Sequence, residues 1–189
     1  LYGSEHPYGE VATAATIQNI TQASCKNYYN SYFKPNIATL VIVGDITPKE
    51  AQKLAKTHLS KWEKGVITTS STPFPPANQS NKVLIGNKEG GNQATINLTY
   101  AVDLKPNSED RIKATLMNEI LGGGSFQARL FQNLREKHAF TYGAYSDLNV
   151  DKYVGNFSAS ADVRLAITDS AFTEIIKEMN ALQTELVTN

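Results

Sequence analysis

The chain has 189 residues, with 18 Lys and Arg against 18 Asp and Glu, so its formal net charge is zero and provides no broad attraction to nucleic acid or anionic lipid. Apolar residues make up 41% of the chain and charged residues 19%, a composition typical of a globular protein and not of a disordered one. The longest aliphatic run, residues 40–43, is too short to span a membrane.

The first part of the chain predicts the order helix, strand, helix. In residues 21–33 the aromatic side chains recur three and four positions apart behind Thr21, which is a good N-cap residue. Residues 38–46 are rich in β-branched side chains and predict a strand buried on both faces. Thr47 and Glu50 then form a capping box at the start of a second helix.

A polar stretch that contains several prolines, residues 68–81, predicts a linker. We therefore expect residues 1–67 to be the C-terminal part of one domain and residues 82–189 to be the N-terminal and larger part of the next.

The last part of the chain predicts an α+β fold, with an antiparallel or mixed β-sheet and helices packed on one face. On the first of its helices, we expect the apolar residues Ile112, Leu116, Ile120 and Leu121 to face the core. The predicted elements are strands over 83–85 and 94–102, helices over 108–121 and 128–134, a hairpin of strands over 140–150 and 153–163, and a helix from 168.

Gly122, Gly123, Gly124 and Ser125 lie between two predicted helices. Their backbone N–H groups can form a cradle for an anion or for a substrate backbone. The alternative is a helix C-cap and hinge. A phosphate-binding loop would follow a strand and precede Lys-Ser or Lys-Thr, and neither is present, so the sequence argues against nucleotide binding.

Arg135 and Tyr142 are candidate site residues because a guanidinium and a phenol can together hold a carbonyl oxygen as it gains charge. The alternative is that Arg135 is a surface residue paired with Glu136 or Asp147, and that Tyr142 is half-buried in a strand.

The three histidines (His6, His58 and His138) and the single cysteine, Cys25, lie far apart in the sequence and form no local zinc motif. We expect His138 to act in packing or at a helix end, His58 to lie in or beside the core, and Cys25 to be a small buried side chain. One cysteine excludes an internal disulfide but leaves the compartment open, and a bacterial periplasm is compatible with it.

Six blocks stand in a recognisable order: residues 6–9 (HPYG), 17–21 (IQNIT), 29–36 (YNSYFKPN), 40–46 (LVIVGDI), 121–131 (LGGGSFQARLF) and 134–142 (LREKHAFTY). Through these six blocks together, the chain resembles the insulinase, pitrilysin and mitochondrial processing peptidase family of zinc metalloproteases. The last two blocks, including the seven positions from Arg135 to Tyr142, are the most specific.

The resemblance implies repeated α+β domains that pair to enclose a peptide chamber. It implies zinc in an N-terminal domain, held by an inverted His-x-x-Glu-His motif, and a facing domain whose arginine and tyrosine grip the substrate. By motif match these are Arg135 and Tyr142, and residues 122–125 resemble the family's flexible substrate-handling loop. No His-x-x-Glu-His occurs in this sequence, so we expect it to be part of a longer protein, to bind no zinc and to be inactive alone.

The leading hypothesis is that the chain supplies the non-zinc, substrate-gripping wall of a zinc endopeptidase. Its partners would be a peptide or unfolded protein substrate and a zinc-bearing domain of the same chain or of a partner subunit. The alternatives are a non-catalytic scaffold or partner subunit of a peptidase-family complex, and an α+β binding module outside the family. Residues 38–46 have few strands to pair with nearby, which predicts self-association or docking of that strand on the second domain.

Overall fold

A computed structural model describes residues 1–3, 5–67, 72, 74–75, 81–185 and 187. The chain forms two compact units: one comprises Leu1–Glu10 and Thr72–Asn189, and the other comprises Val11–Ser71. Most of the predicted linker lies outside the described residues. No helix in the described part of the chain is long and apolar enough to cross a membrane.

The described part of the smaller unit forms three α-helices: α1 (Ala14–Gln18), α2 (Gln22–Tyr32) and α3 (Pro48–Leu59). The predicted caps of α2 and α3 are both confirmed. The Thr21 and Thr47 hydroxyls each accept a hydrogen bond from the backbone amide three residues later, and the side chain of that residue bonds back to the cap.

None of the described residues 11–67 is buried, so the expectation of buried side chains at Cys25 and His58 is wrong. The strand predicted over 38–46 is also absent, and Val43 is 91% exposed. A strand forms only where a neighbouring backbone satisfies its N–H and C=O groups, and residues 11–67 contain no other strand to provide one.

The larger unit is built on three antiparallel strands: β1 (Gln93–Val102), β2 (Ala144–Asn149) and β3 (Gly155–Arg164), in the spatial order β1-β3-β2. The β2–β3 hairpin and the antiparallel α+β class are confirmed. The strand predicted over 83–85 is not formed, because these residues are fully exposed and pair with no other strand in the described part of the chain.

One face of the sheet is the core, and it is covered by α4 (Arg111–Leu121) and α6 (Thr168–Thr184). Alternate residues of each strand point to this face, as the two-residue period of a strand requires. The opposite face carries Thr, Asn, Ser and Asp side chains. The buried strand residues are Ile96, Ala144, Ser146, Gly155, Phe157, Ala159, Ala161 and Val163.

Helix α4 faces the core with a different side from the one predicted. Leu121 is 2% exposed as expected, but Ile112 and Leu116 are 75% and 60% exposed. Asn118 is buried instead, and its amide donates to the backbone carbonyl of Ser146 at 3.3 Å. A polar residue that bonds to the sheet edge therefore determines the rotation of α4, and the apolar pattern alone does not reveal it.

Helix α4 ends at Gly122, where the chain meets β2. The Gly122 amide donates to the Asn118 carbonyl at 2.9 Å, and its own carbonyl accepts from the Ser146 amide at 2.7 Å. A Cβ at this position would lie 2.5 Å from the Ser146 nitrogen and 2.9 Å from Cδ1 of Leu130. Only glycine allows α4 and β2 to approach this closely.

Helix α5 (Arg129–Phe131) continues as a π-helical turn, Gln132–Lys137, and then ends abruptly. The Ala139 amide donates to the Arg135 carbonyl at 3.0 Å, and the Phe140 amide donates to the Leu134 carbonyl at 2.8 Å. Ala139 has a φ of 51°, in the left-handed region that non-glycine residues adopt at a cost.

We predict that Gly122→Ala lowers the free energy of unfolding by about 2 kcal/mol, because the added methyl group overpacks the joint between α4 and β2. Gly123→Ala is the matched control, since a Cβ there meets only the carboxylate of Glu119, a flexible side chain that can move away. Urea denaturation of both variants measures the difference, and equal stability would contradict this account of the joint.

We predict that Ala139→Gly raises the free energy of unfolding by about 1 kcal/mol, because glycine adopts the left-handed conformation without strain. Ala139→Val should lower it, since a β-branched residue is least tolerated there. Thermal unfolding of the two variants tests the order, and greater stability of the valine variant would overturn it.

Candidate functional site

Arg135 lies on the π-helical turn, a local geometry that is frequent at functional sites. Its guanidinium carbon lies 4.7 Å from the centre of the Phe131 ring and 6.0 Å from that of Phe126. These contacts over aromatic faces fix the direction of the side chain while leaving it 40% exposed. It forms an ion pair with Glu136, at 3.5 Å, and both partners are accessible to solvent.

Polar contacts with α6 hold the turn that carries Arg135. The Arg129 Nε donates to Glu178 at 2.8 Å, and the Asn133 amide donates to Glu174 at 2.8 Å. The Asn133 hydrogen bond lowers the pKa of the Glu174 carboxyl, against the opposing effect of burial. Glu174 therefore stays charged and keeps the turn fixed against α6.

His138 follows the turn and has a packing role, as expected. Its ring stacks on Phe140 with the ring centres 4.8 Å apart. Its Nε2 atom is buried 3.9 Å from a Glu174 oxygen, beyond hydrogen-bond distance.

The described residues do not fit a zinc site, because no three or more of their His, Cys, Asp and Glu side chains form a group able to hold a metal ion. We therefore derive no step of the chemistry through a metal on this chain.

Tyr142 precedes β2, which begins at Ala144, and the Tyr142 side chain is 87% exposed. The neighbouring Thr141 hydroxyl donates to the Asp162 carbonyl at 2.7 Å and so fixes the backbone of Tyr142 beside the end of β3. Tyr142 is therefore not the half-buried strand residue considered from the sequence. It lines an open groove of about 570 Å³ together with Lys88, Gly91, Asn92, Gln93 and Arg164.

The structure presents Arg135 and Tyr142 on separate elements, one on the π-helical turn and the other at the entrance to β2. No hydrogen bond or ring contact joins the two side chains. The Glu136 pair foreseen for Arg135 is present and the Asp147 pair is not. Both side chains are accessible to solvent, Arg135 at 40% and Tyr142 at 87%.

The four residues 122–125 are not equivalent. The Gly122 amide bonds to the last turn of α4, and the Gly122 carbonyl bonds to β2. Gly122 is therefore a helix C-cap, which is the alternative considered from the sequence. The Ser125 hydroxyl and carbonyl accept from the amides of Gln127 and Ala128. Gly124 has a φ of 98°, which favours glycine, and space for a Cβ is open there. The amides of Gly123 and Gly124 make no hydrogen bond with the described residues.

Sequence reasoning missed Lys88 and Arg164 as residues of the groove. The antiparallel register brings them there: Gln93 pairs with Arg164, and Lys88 lies in the turn just before Gln93. The sequence predicted strands over 94–102 and 153–163. It did not predict that these two strands pair with each other, and that pairing brings Arg164 beside Gln93.

Comparisons with known proteins agree with this architecture. A family model described as the peptidase M16 inactive domain matches residues 19–189. The zinc protease PqqE of Helicobacter pylori is 24% identical over 123 residues, which are 63% of this chain and 28% of that protein. The probable inactive metalloprotease YmfF of Bacillus subtilis is 20% identical over 178 residues, 94% of this chain and 40% of that protein.

A crystal structure of a peptidase M16 inactive domain from Pseudomonas fluorescens shares the fold, with a TM-score of 0.79 and 22% identity over 100% of this chain and 45% of that one. The chain thus spans less than half the length of each of these proteins. The resemblance seen in the six sequence blocks is confirmed by the family match, which covers most of the chain. The chain belongs to the peptidase M16 family and corresponds to its inactive, non-catalytic domain.

Proposed function

We propose that this chain supplies the substrate-gripping wall of an M16 peptidase. It would hold a peptide or unfolded protein segment that a zinc-bearing domain, of the same chain or of a partner subunit, cleaves. One observation carries the proposal: Tyr142 is 87% exposed and its phenol bonds to none of the described residues, while Thr141 fixes its backbone. An aromatic residue held rigidly in water is better suited to binding than to packing.

Arg135 complements Tyr142 chemically. Its solvent-exposed pair with Glu136 is weak, so a ligand can replace Glu136 at little cost. The guanidinium offers several N–H donors in a planar fork, and the phenol offers one more. Donors of this kind act most strongly on a carbonyl oxygen when it gains negative charge during acyl transfer.

The glycine segment adds backbone donors to this surface. Of the four predicted substrate-binding residues, Gly123 and Gly124 have amides free to bond a peptide backbone. Gly122 and Ser125 contribute by holding the segment in shape, because their own polar groups bond to β2 and to the start of α5.

The domain division expected from the sequence, with residues 1–67 ending one peptidase domain and residues 82–189 beginning the next, stays a proposal, although Leu1–Glu10 belong to the same compact unit as residues 82–189. Self-association of the chain also stays a prediction. The apolar side chains of residues 38–43 are extensively exposed and have no strand partner among the described residues, and such a segment tends to pair with another chain.

A non-catalytic scaffold is the second candidate. The observation that favours it is the match to YmfF, named a probable inactive metalloprotease, over 94% of this chain. In that case the same surface would bind a partner or a peptide without cleavage taking place in the complex.

We predict that Arg135→Ala or Tyr142→Phe in the complete parent protein lowers peptide turnover by about a hundredfold, because each removes a donor to the reacting carbonyl. The zinc content of the parent protein should not change, because neither residue is placed in a metal site. Turnover is measured with a fluorogenic peptide and zinc content by elemental analysis.

The matched controls are Arg111→Ala and Tyr100→Phe. They make the same chemical changes at the start of α4 and on the core face of β1, and both should retain full turnover. Full turnover in the Arg135 and Tyr142 variants would refute the gripping role. A parent protein that binds peptide but never cleaves it would favour the scaffold.

A further inference from the structure

The groove beside Tyr142 is built where the polar face of the sheet ends. Gln93 and Arg164 lie opposite each other in the antiparallel register, on the face away from the core. The turn before β1 is closed by a hydrogen bond from the Gly91 amide to the Lys88 carbonyl, at 3.2 Å. Gly90, with a φ of 73°, allows that turn, and so Lys88 is held against the groove.

The charges of this groove are all of one sign. Of the described residues that line it, Lys88 and Arg164 are charged and none is acidic. Neither cation makes an ion pair within the part of the chain that the structure describes. The nearest acid along β3, Asp162, accepts a hydrogen bond from the Thr95 hydroxyl at 2.6 Å and pairs with neither cation. The groove therefore presents two cationic side chains that form no ion pair with the described residues, in a chain whose net charge is zero.

The neutral groups of the groove are suited to the same kind of ligand. The side-chain amides of Asn92 and Gln93 can donate hydrogen bonds to an oxygen anion, while the single O–H of Tyr142 stays available for the peptide carbonyl. Arg164 can bind a carboxylate through two parallel N–H bonds, and Lys88 can add a point charge. A carboxylate offers about four acceptor sites on its two oxygens, so it can accept hydrogen bonds from several donors of this kind.

We infer that this groove binds a carboxylate of the substrate peptide, close to the segment that Tyr142 holds. The carboxylate belongs either to an Asp or Glu side chain or to a free peptide C-terminus. The inference rests on the proposed function, because it takes the ligand to be a peptide. It adds a preference: acidic peptides bind more tightly than their neutral counterparts, and Lys88 and Arg164 are the residues that set this preference.

Binding of three peptides to the isotope-labelled chain tests the inference, with affinities read from NMR chemical shifts. One peptide is acetyl-Ala-Ala-Glu-Ala-Ala-amide, the second has Gln in place of Glu, and the third is acetylated penta-alanine with a free C-terminal carboxylate. We expect at least one carboxylate peptide to bind about fivefold more tightly than the Gln peptide, with shifts centred on Gln93, Tyr142 and Arg164. Each solvent-exposed ion pair can contribute up to about fivefold, and salt should weaken the effect.

The comparison of the two carboxylate peptides distinguishes a side-chain from a C-terminal ligand. The preference should disappear in the double variant Lys88→Gln/Arg164→Gln. It should persist in Lys113→Gln/Lys177→Gln, which removes the same charge from exposed positions on α4 and α6. Equal affinity for all three peptides, absence of binding, or a preference that survives loss of Lys88 and Arg164 would overturn the inference.

Failure of the proposed function gives a different result. If Arg135→Ala and Tyr142→Phe leave peptide binding and turnover intact while the carboxylate preference still depends on Lys88 and Arg164, the gripping role fails and the groove stands. If those two variants lose turnover while the three peptides bind alike, the gripping role stands and the carboxylate site fails.

Discussion

The close contact between Gly122 and Ser146 determines how helices and sheet fit together in the larger unit. It joins the end of α4 to the edge of β2 through a hydrogen bond from the Ser146 amide to the Gly122 carbonyl. Two more bonds support it: the Asn118 side-chain amide donates to the Ser146 carbonyl, and the Ser146 hydroxyl donates to the Asn118 carbonyl. Because a side chain at Gly122 would collide with the backbone of β2, the contact depends on a residue with no Cβ. Leu130, at the start of the next helix, is then completely buried against this joint.

The candidate site depends on that arrangement. Helix α5 begins beside the joint, and its π-helical continuation carries Arg135. The chain then reverses at Ala139 and leads Tyr142 to the end of β3, where Thr141 bonds to the strand. Two independent sets of contacts therefore fix the backbone that carries the two donors. One is the polar network of α5 with α6, and the other is the strand edge. The Arg135 side chain is also held over two aromatic rings, whereas the Tyr142 side chain is 87% exposed and is positioned through its backbone.

The N-terminal residues contribute to the same unit. The Tyr8 hydroxyl donates to Asp151, in the turn between β2 and β3, at 2.7 Å. This hydrogen bond raises the pKa of Tyr8 to about 12. The pKa of Asp151 is lowered, first by the hydrogen bond from the Tyr153 amide and then by the one from Tyr8. The contact links the HPYG block to the hairpin, a pairing of distant residues that local sequence patterns do not contain.

The sequence correctly predicted the helix ends that are set by neighbouring residues in the chain. Capping boxes at Thr21 and Thr47, and the glycine stop at Gly122, correspond to helix ends in the structure. The errors arose where a partner decides the outcome. Residues 38–46 have strand propensity but no neighbouring strand, and α4 turns its buried Asn118 to the sheet in preference to its most apolar side. The groove residues Lys88 and Arg164 are brought together only by strand register. That these two residues lie in one groove could therefore be recognised only from the three-dimensional structure.

The most direct test of the gripping role is a structure of the complete parent protein with a non-hydrolysable peptide bound. We predict that the Arg135 guanidinium and the Tyr142 hydroxyl each lie about 3 Å from oxygen atoms of the peptide, within hydrogen-bond distance. A peptide bound elsewhere, with both side chains still facing solvent, would contradict the account.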